Sequence, residues 1–189
     1  MGCAAGLLLF ARIRADGFDG RFSQIKEDFA SFLMTWTLQG LWVTVTSAAA
    51  IAAITGTATA SLGPWALMGS VLWVAGFATE AIADEQKKTF KADPENHGRF
   101  ITTGLWAWSR HPNYFGEIVL WLGIAIIAFP ELSGWQYATL VSPVFVFVLL
   151  NYISGVRMLE ARADRRWGDD PDYQAYKKNT PALVLLPPR

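Results

Sequence analysis

The chain has 189 residues, of which 52% are hydrophobic, 14% aromatic and only 17% charged, with a mean hydropathy of +0.26. That balance excludes a disordered or nucleic-acid-coating chain, and 16 Lys plus Arg against 16 Asp plus Glu leave no overall basic field to hold a polyanion. One cysteine, Cys3, and two histidines, His97 and His111, exclude an intrachain disulfide framework and any zinc site built from several thiolates.

In chain order, residues 1–11 form an apolar run of 11 residues, shorter than the roughly 20 needed to cross a hydrocarbon core. No charged segment precedes it as in a secretory leader, so it reads as a short N-terminal apolar helix, either the end of a longer one or a helix lying partly in the bilayer. Residues 29–54 then run for 26 positions without a charge, and residues 62–83 for 22 with only Glu80. Both are long enough to span. The polar stretch 84–113 continues as helix to about Phe90, then loops through Asp93, Pro94, Asn96 and Gly98. Residues 114–129 make a shorter apolar run of 16 with Glu117 in its first turn, ended by Pro130, and residues 132–156 run for 25 with no charge. In the tail, Met158, Leu159, Ala163 and Trp167 fit one helical face before Gly168 and Pro171 break it, and residues 172–178 form a second short helix. The expected fold is therefore all-α: a polytopic integral membrane helical bundle of four full spans, with the short N-terminal helix and a helical tail. Without repeats or a separating linker, residues 1–189 read as one membrane domain.

Charge placement gives the orientation. All 16 basic residues fall before residue 28, within 84–113, or after 156, whereas the turns 55–61 and 131–134 contain none. By the positive-inside rule the basic stretches and the C-terminus face the cytoplasm, with Trp65 and Trp135 near the opposite interface; in a bacterium this is the inner membrane. With Cys3 replaced, cysteines at Thr57 or Ser133 should react with an impermeant reagent added outside, and cysteines at Glu95 or Asp170 should not. The reverse pattern overturns the orientation, and labelling at all four sites argues against a membrane protein.

Ionisable groups at or near membrane depth point to function, because burying them is costly unless they are paired or used. Glu80 and Asp84 lie one turn apart, followed by Lys87, Lys88 and Lys91. They form either a helix end whose acids pair with its own lysines or the rim of a site for a charged cofactor. Pro112 suits the first turn of a helix and places Arg110, His111, Asn113 and Glu117 around its N-terminus, where free amides and the helix dipole favour a phosphate or carboxylate. The structural alternative is a capped helix start with a snorkelling arginine.

The segment Ser109-Arg-His-Pro-Asn-Tyr-Phe-Gly-Glu117, with Ile82-Ala-Asp-Glu-Gln86, Gly104-Leu-Trp106, Asn151-Tyr-Ile-Ser-Gly-Val156, Trp167-Gly168, Tyr173 and Tyr176, resembles the bacterial membrane family with a steroid 5-alpha-reductase-like C-terminal domain, usually described only as a domain of unknown function. Its Arg-His-Pro-Asn-Tyr core is shared with sterol reductases that bind NADPH and with isoprenylcysteine carboxyl methyltransferases that bind S-adenosylmethionine. Carried over by position, the resemblance implies cofactor contacts at Asp84, Arg110, His111, Asn113, Tyr114 and Glu117, and at Arg157, Glu160, Arg166, Tyr173 and Tyr176 in the closing tail. Lys88 joins them as a candidate for the 2′-phosphate of NADPH. No metal is implied. Relative to the family the N-terminus is short, and no Tyr precedes Tyr114, so the resemblance assigns no catalytic proton donor here. The reading that follows is a membrane-embedded NADPH-dependent reductase acting on a C=C bond of a lipophilic, steroid-like or isoprenoid substrate. The alternatives are an S-adenosylmethionine-dependent lipid or prenyl-cysteine methyltransferase, and a noncatalytic membrane protein. Arg110, Arg157, Arg162, Arg165, Arg166 and the three lysines after Asp84 are more than the single carboxylate of S-adenosylmethionine needs, which favours NADPH.

Overall fold

The computed structural model describes residues 27–56 and 63–188; the apolar run 1–11 lies outside them. The chain divides into two compact units, Met1–Thr44 and Val45–Arg189, with the boundary inside the first described helix, α1 (Phe29–Thr55). Within the first unit, Asp28 begins α1 by accepting the Ser31 N–H at 2.8 Å, as an N-terminal cap should. In the second unit α2 (Pro64–Ala92), α3 (Pro112–Ala128), α4 (Val141–Val148), α5 (Val156–Trp167) and α6 (Pro171–Asn179) follow, and no strand occurs among the described residues. Among the described residues, four helical segments are long and apolar enough to cross a membrane: Phe29–Thr55, Pro64–Ala92, Pro112–Glu131 and Gly134–Trp167. The protein is an all-helical polytopic membrane protein, as its hydropathy predicts.

Proline starts α2, α3 and α6, where its missing N–H costs nothing. Helices α2 and α3 then run antiparallel along a seam of glycines seven residues apart. A methyl group added at Gly69 would lie 2.6 Å from the Gly123 carbonyl oxygen, and one at Gly76 2.5 Å from that of Gly116. Backbone therefore meets backbone, and Ala83, fully buried, extends the seven-residue spacing on α2. Lipid offers no hydrophobic drive between helices, so close van der Waals approach through small residues carries this association.

The fourth span differs from a single helix over 132–156. It enters through a 3₁₀ segment, Gly134–Leu140, held by a reciprocal Ser133–Gln136 capping box, continues as α4, and widens into a π turn at Leu149–Ile153. The chain then breaks at Gly155, where a Cβ would fall 1.9 Å from the Leu150 carbonyl oxygen. Only glycine fits that turn, which redirects the chain into α5. One apolar cluster joins Ala49, Ala125 and Ala128. Beside it the Ser142 hydroxyl donates to the Thr46 carbonyl oxygen. A second cluster, Ala83, Ile101 and Trp106, lies where α2 meets the loop leading to α3.

Candidate functional site

The loop between α2 and α3 is built from short elements tied to its neighbours. Asp93 accepts the Glu95 N–H at 3.0 Å and starts a 3₁₀ turn, Pro94–Asn96. Gly98 then takes φ +82°, which a side chain would resist. A second 3₁₀ turn, Gly104–Ala107, is anchored to α2 twice: Gln86 accepts the Leu105 N–H at 2.9 Å, and the Trp106 indole donates to the Ala83 carbonyl at 3.0 Å. These bonds hold Trp106 inside, 4% exposed, with the Lys87 ammonium 4.6 Å above its ring.

Arg110 is the junction of the site. Its Nε and one terminal nitrogen grip both oxygens of Glu160 on α5 at 3.1 and 2.8 Å. The other terminal nitrogen donates to the Lys177 and Thr180 carbonyls at 2.5 and 2.7 Å, capping the C-terminus of α6. Four of the five guanidinium N–H bonds are thereby committed within the protein. His111 places Nε2 2.9 Å from Glu160 and stacks on Tyr114 with ring centroids 5.7 Å apart. Both partners of the Arg110–Glu160 pair are largely buried, at 13% and 17% side-chain exposure. Each charge therefore depends on the other.

Beside this clamp lies a cavity of about 650 Å³, within the usual range for small-molecule and cofactor sites. Its walls carry six cations, Lys87, Lys91, Arg99, Arg110, Arg162 and Arg166, and a single acid, Glu160. Glu160 is already occupied by Arg110 and His111, so the cavity is electropositive. Phe100 meets Trp167, Tyr173 and Tyr176 with ring centroids 5.7, 5.3 and 5.8 Å away, forming an aromatic wall. The Trp167 indole donates to the Gly98 carbonyl at 2.6 Å, closing α5 onto the loop. Burial, then the Asp164 carboxylate that accepts its hydroxyl at 3.1 Å, pushes the Tyr173 phenol well above its ordinary range; burial likewise raises Tyr176, against the opposing pull of Arg110. Both phenols therefore stay protonated near neutral pH.

Of the residues expected to hold a cofactor, Arg110, His111, Glu160, Arg166, Tyr173 and Tyr176 line this cavity. Asp84, Asn113, Tyr114 and Glu117 do not line it. The Asn113 amide donates to Asp84 at 3.1 Å across the α2–α3 seam, with Tyr114 linked to the cavity through His111. Asp84 thus reaches across to α3 for a hydrogen bond. Lys88 pairs with Glu85 at 3.2 Å on an exposed helix surface and is not part of the wall; Arg157 is exposed and also outside it. Lys87 and Lys91, one turn apart and continuing the face of buried Ala83, occupy the wall instead. Helical spacing from Ala83 was the available signal. Trp106 stood in the Gly104-Leu-Trp106 motif without a role assigned to it, and Phe100 and Arg99 gave no signal, because only the folded loop brings them here.

The chain belongs to the family described as "Protein of unknown function (DUF1295)", whose model matches residues 3–180. Among characterised or curated proteins it is 31% identical over 75 residues to a protein named probable O-methyltransferase ustE from Ustilaginoidea virens, 40% of this chain and 26% of that protein. It is 27% identical over 117 residues to bovine 3-oxo-5-alpha-steroid 4-dehydrogenase 1, 61% of this chain and 40% of that one. An uncharacterised Schizosaccharomyces pombe protein is 32% identical, across 46% of this chain and 31% of its own length. The chain thus spans well under half the length of these relatives. No solved structure matches it significantly.

Proposed function

We propose that this protein is a membrane-embedded reductase that holds NADPH in the electropositive cavity and reduces a C=C bond of a lipophilic substrate lying between the spans. The observation that carries the reading is the wall of six cations facing one acid that is already paired. A single carboxylate ligand needs one such cation, whereas a diphosphate plus a 2′-phosphate uses several. With Arg110 committed to Glu160 and to backbone carbonyls, the phosphates fall to Lys87, Lys91, Arg99, Arg162 and Arg166. The aromatic wall around Phe100 supplies faces for the rings of a nucleotide. NADPH supplies the hydride when bound; the chain supplies binding, orientation and electrostatics. The similarity to a steroid 4-dehydrogenase supports this reading. The stretch shared with an O-methyltransferase supports a second one, in which the same cavity takes S-adenosylmethionine and a methyl group is transferred to a lipid.

Thermal unfolding of the detergent-solubilised protein separates them, because a ligand raises stability only by binding the folded state. NADPH should raise the midpoint more than NADH, and S-adenosylmethionine should leave it unchanged. Arg166→Gln or Lys87→Gln should weaken NADPH binding by roughly 1.5–3 kcal/mol, the scale of a hydrogen bond to a charged group, while Lys88→Gln on the exposed face leaves it intact. Equal binding of NADPH and NADH, or stabilisation by S-adenosylmethionine alone, moves the assignment to the methyltransferase.

A further inference from the structure

The segment after α6 is apolar in a way that the protein does not use. Residues 182–186 read Ala-Leu-Val-Leu-Leu, and their exposure alternates: Leu183 and Leu185 are half-buried, while Val184 and Leu186 remain 53% and 48% exposed. A surface segment that packs one side on its own protein and leaves the other in water is expected to be polar on the outward side. Here both sides are aliphatic. The segment is also held in place: the Leu186 N–H donates to the Trp108 carbonyl at 3.1 Å, Pro181 accepts the Arg110 N–H at 2.9 Å, and the buried Ser109 hydroxyl donates to the Leu183 carbonyl at 2.9 Å.

The loop it is bonded to fixes the depth. Trp108 is 43% exposed and stands four residues before Pro112, where the third span begins. A partly exposed tryptophan at the mouth of a span belongs at the headgroup level of the bilayer. Leu186, bonded to it through its N–H, and Val184 two residues before continue that exposed apolar surface. We infer that the tail segment 182–186 lies on the membrane, with Val184 and Leu186 inserted beside Trp108 into the interfacial layer of the lipid. The bilayer is the occupant because this surface is continuous with the start of a span. The same backbone bonds run to Ser109 and Arg110, so lipid contact would brace the loop that carries the Arg110–Glu160 clamp.

The test places a single cysteine at Val184 or at Leu186, in separate proteins with Cys3 replaced by Ser, and labels each with an environment-sensitive fluorophore after reconstitution into phosphatidylcholine vesicles. Glu95→Cys, on the exposed loop after α2, is the aqueous control. Both tail sites should emit to the blue of Glu95→Cys and lose intensity when the vesicles contain lipid brominated near the headgroup, with the control unaffected. Water-like emission at both tail sites overturns the inference. So does blue-shifted emission that brominated lipid leaves unchanged, since the segment is then covered by protein, from the same chain or a second copy. The outcome is independent of which cofactor binds, and either tail site suffices if the other variant does not fold.

Discussion

Replacing Arg110 with Leu should be among the most damaging single changes in this protein. It strips the partner from Glu160, leaving a carboxylate at 17% exposure beside His111 and Lys177, and it also frees the Lys177 and Thr180 carbonyls at the end of α6. Breaking one half of a buried ion pair costs about 3–5 kcal/mol. Arg110→Lys should lie between the parent and Arg110→Leu, because an ammonium keeps the charge but cannot reproduce the forked grip on Glu160 together with two carbonyl contacts. The double variant Arg110→Met with Glu160→Leu should recover much of the lost stability, since no unpaired charge is then buried. Thermal unfolding in one detergent checks all four proteins. If Arg110→Leu unfolds at the parent temperature, or the double variant is no better than the single, the pair does not hold the tail to α3.

The second large effect is expected at the α2–α3 seam, and there the sign is the informative part. Gly→Ala in an ordinary helix interior stabilises by roughly 0.5–1 kcal/mol, because glycine loses more backbone freedom on folding. At Gly76 the new methyl would lie 2.5 Å from both the Gly116 carbonyl oxygen and the Leu120 nitrogen, and at Gly123 2.6 Å from the Gly69 carbonyl oxygen. These neighbours are backbone and cannot rotate away, so the helices must separate along their length. Overpacking on that scale typically costs about 1–3 kcal/mol, and Gly76→Val should exceed Gly76→Ala. The separation would also move Ala83 and Trp106, whose hydrogen bond links the seam to the cavity wall. Folded yield and the unfolding midpoint are the readouts; a Gly76→Ala protein as stable as the parent would mean that the helices do not approach closely in the membrane.

Much of the architecture was legible along the chain. Spans are set by a local average of hydropathy over some twenty residues, a quantity that tertiary contacts do not change. Helix α1 matches the charge-free run 29–54 to within a residue for that reason, and α2 begins two residues into the run 62–83 and continues past it to Ala92. Pro112 announced a helix start because a proline ring is suited to the first turn wherever the helix later packs, whereas Pro171, which reads along the chain as a breaker, also begins the next helix. The irregular fourth span was hidden, since a π turn and the break at Gly155 preserve the apolar composition while changing the path. The glycine heptad along α2 and α3 was visible as spacing, but its meaning depended on two helices meeting antiparallel.

The site divides along the same line. The helix start at Pro112 identifies Arg110 and His111 as polar groups near one end of the spans, because charge segregation along a membrane chain is a one-dimensional property, whereas the tail residues Glu160, Tyr173 and Tyr176 come from the family resemblance alone. Which of them meet is a matter of side-chain direction and loop path. Lys87 and Lys88 are neighbours in the chain, yet one lies over Trp106 in the cavity wall and the other pairs with Glu85 outside, since adjacent positions on a helix point about 100° apart. Arg110 carries the same charge as Arg166, but the convergence of α3, α5 and α6 commits its donors to protein while Arg166 stays on the wall with Trp167. Local hydropathy and charge decide what enters the membrane and which end is basic; only the packing of three helices and a loop decides which of those charges are consumed by the fold and which stay on the cavity wall.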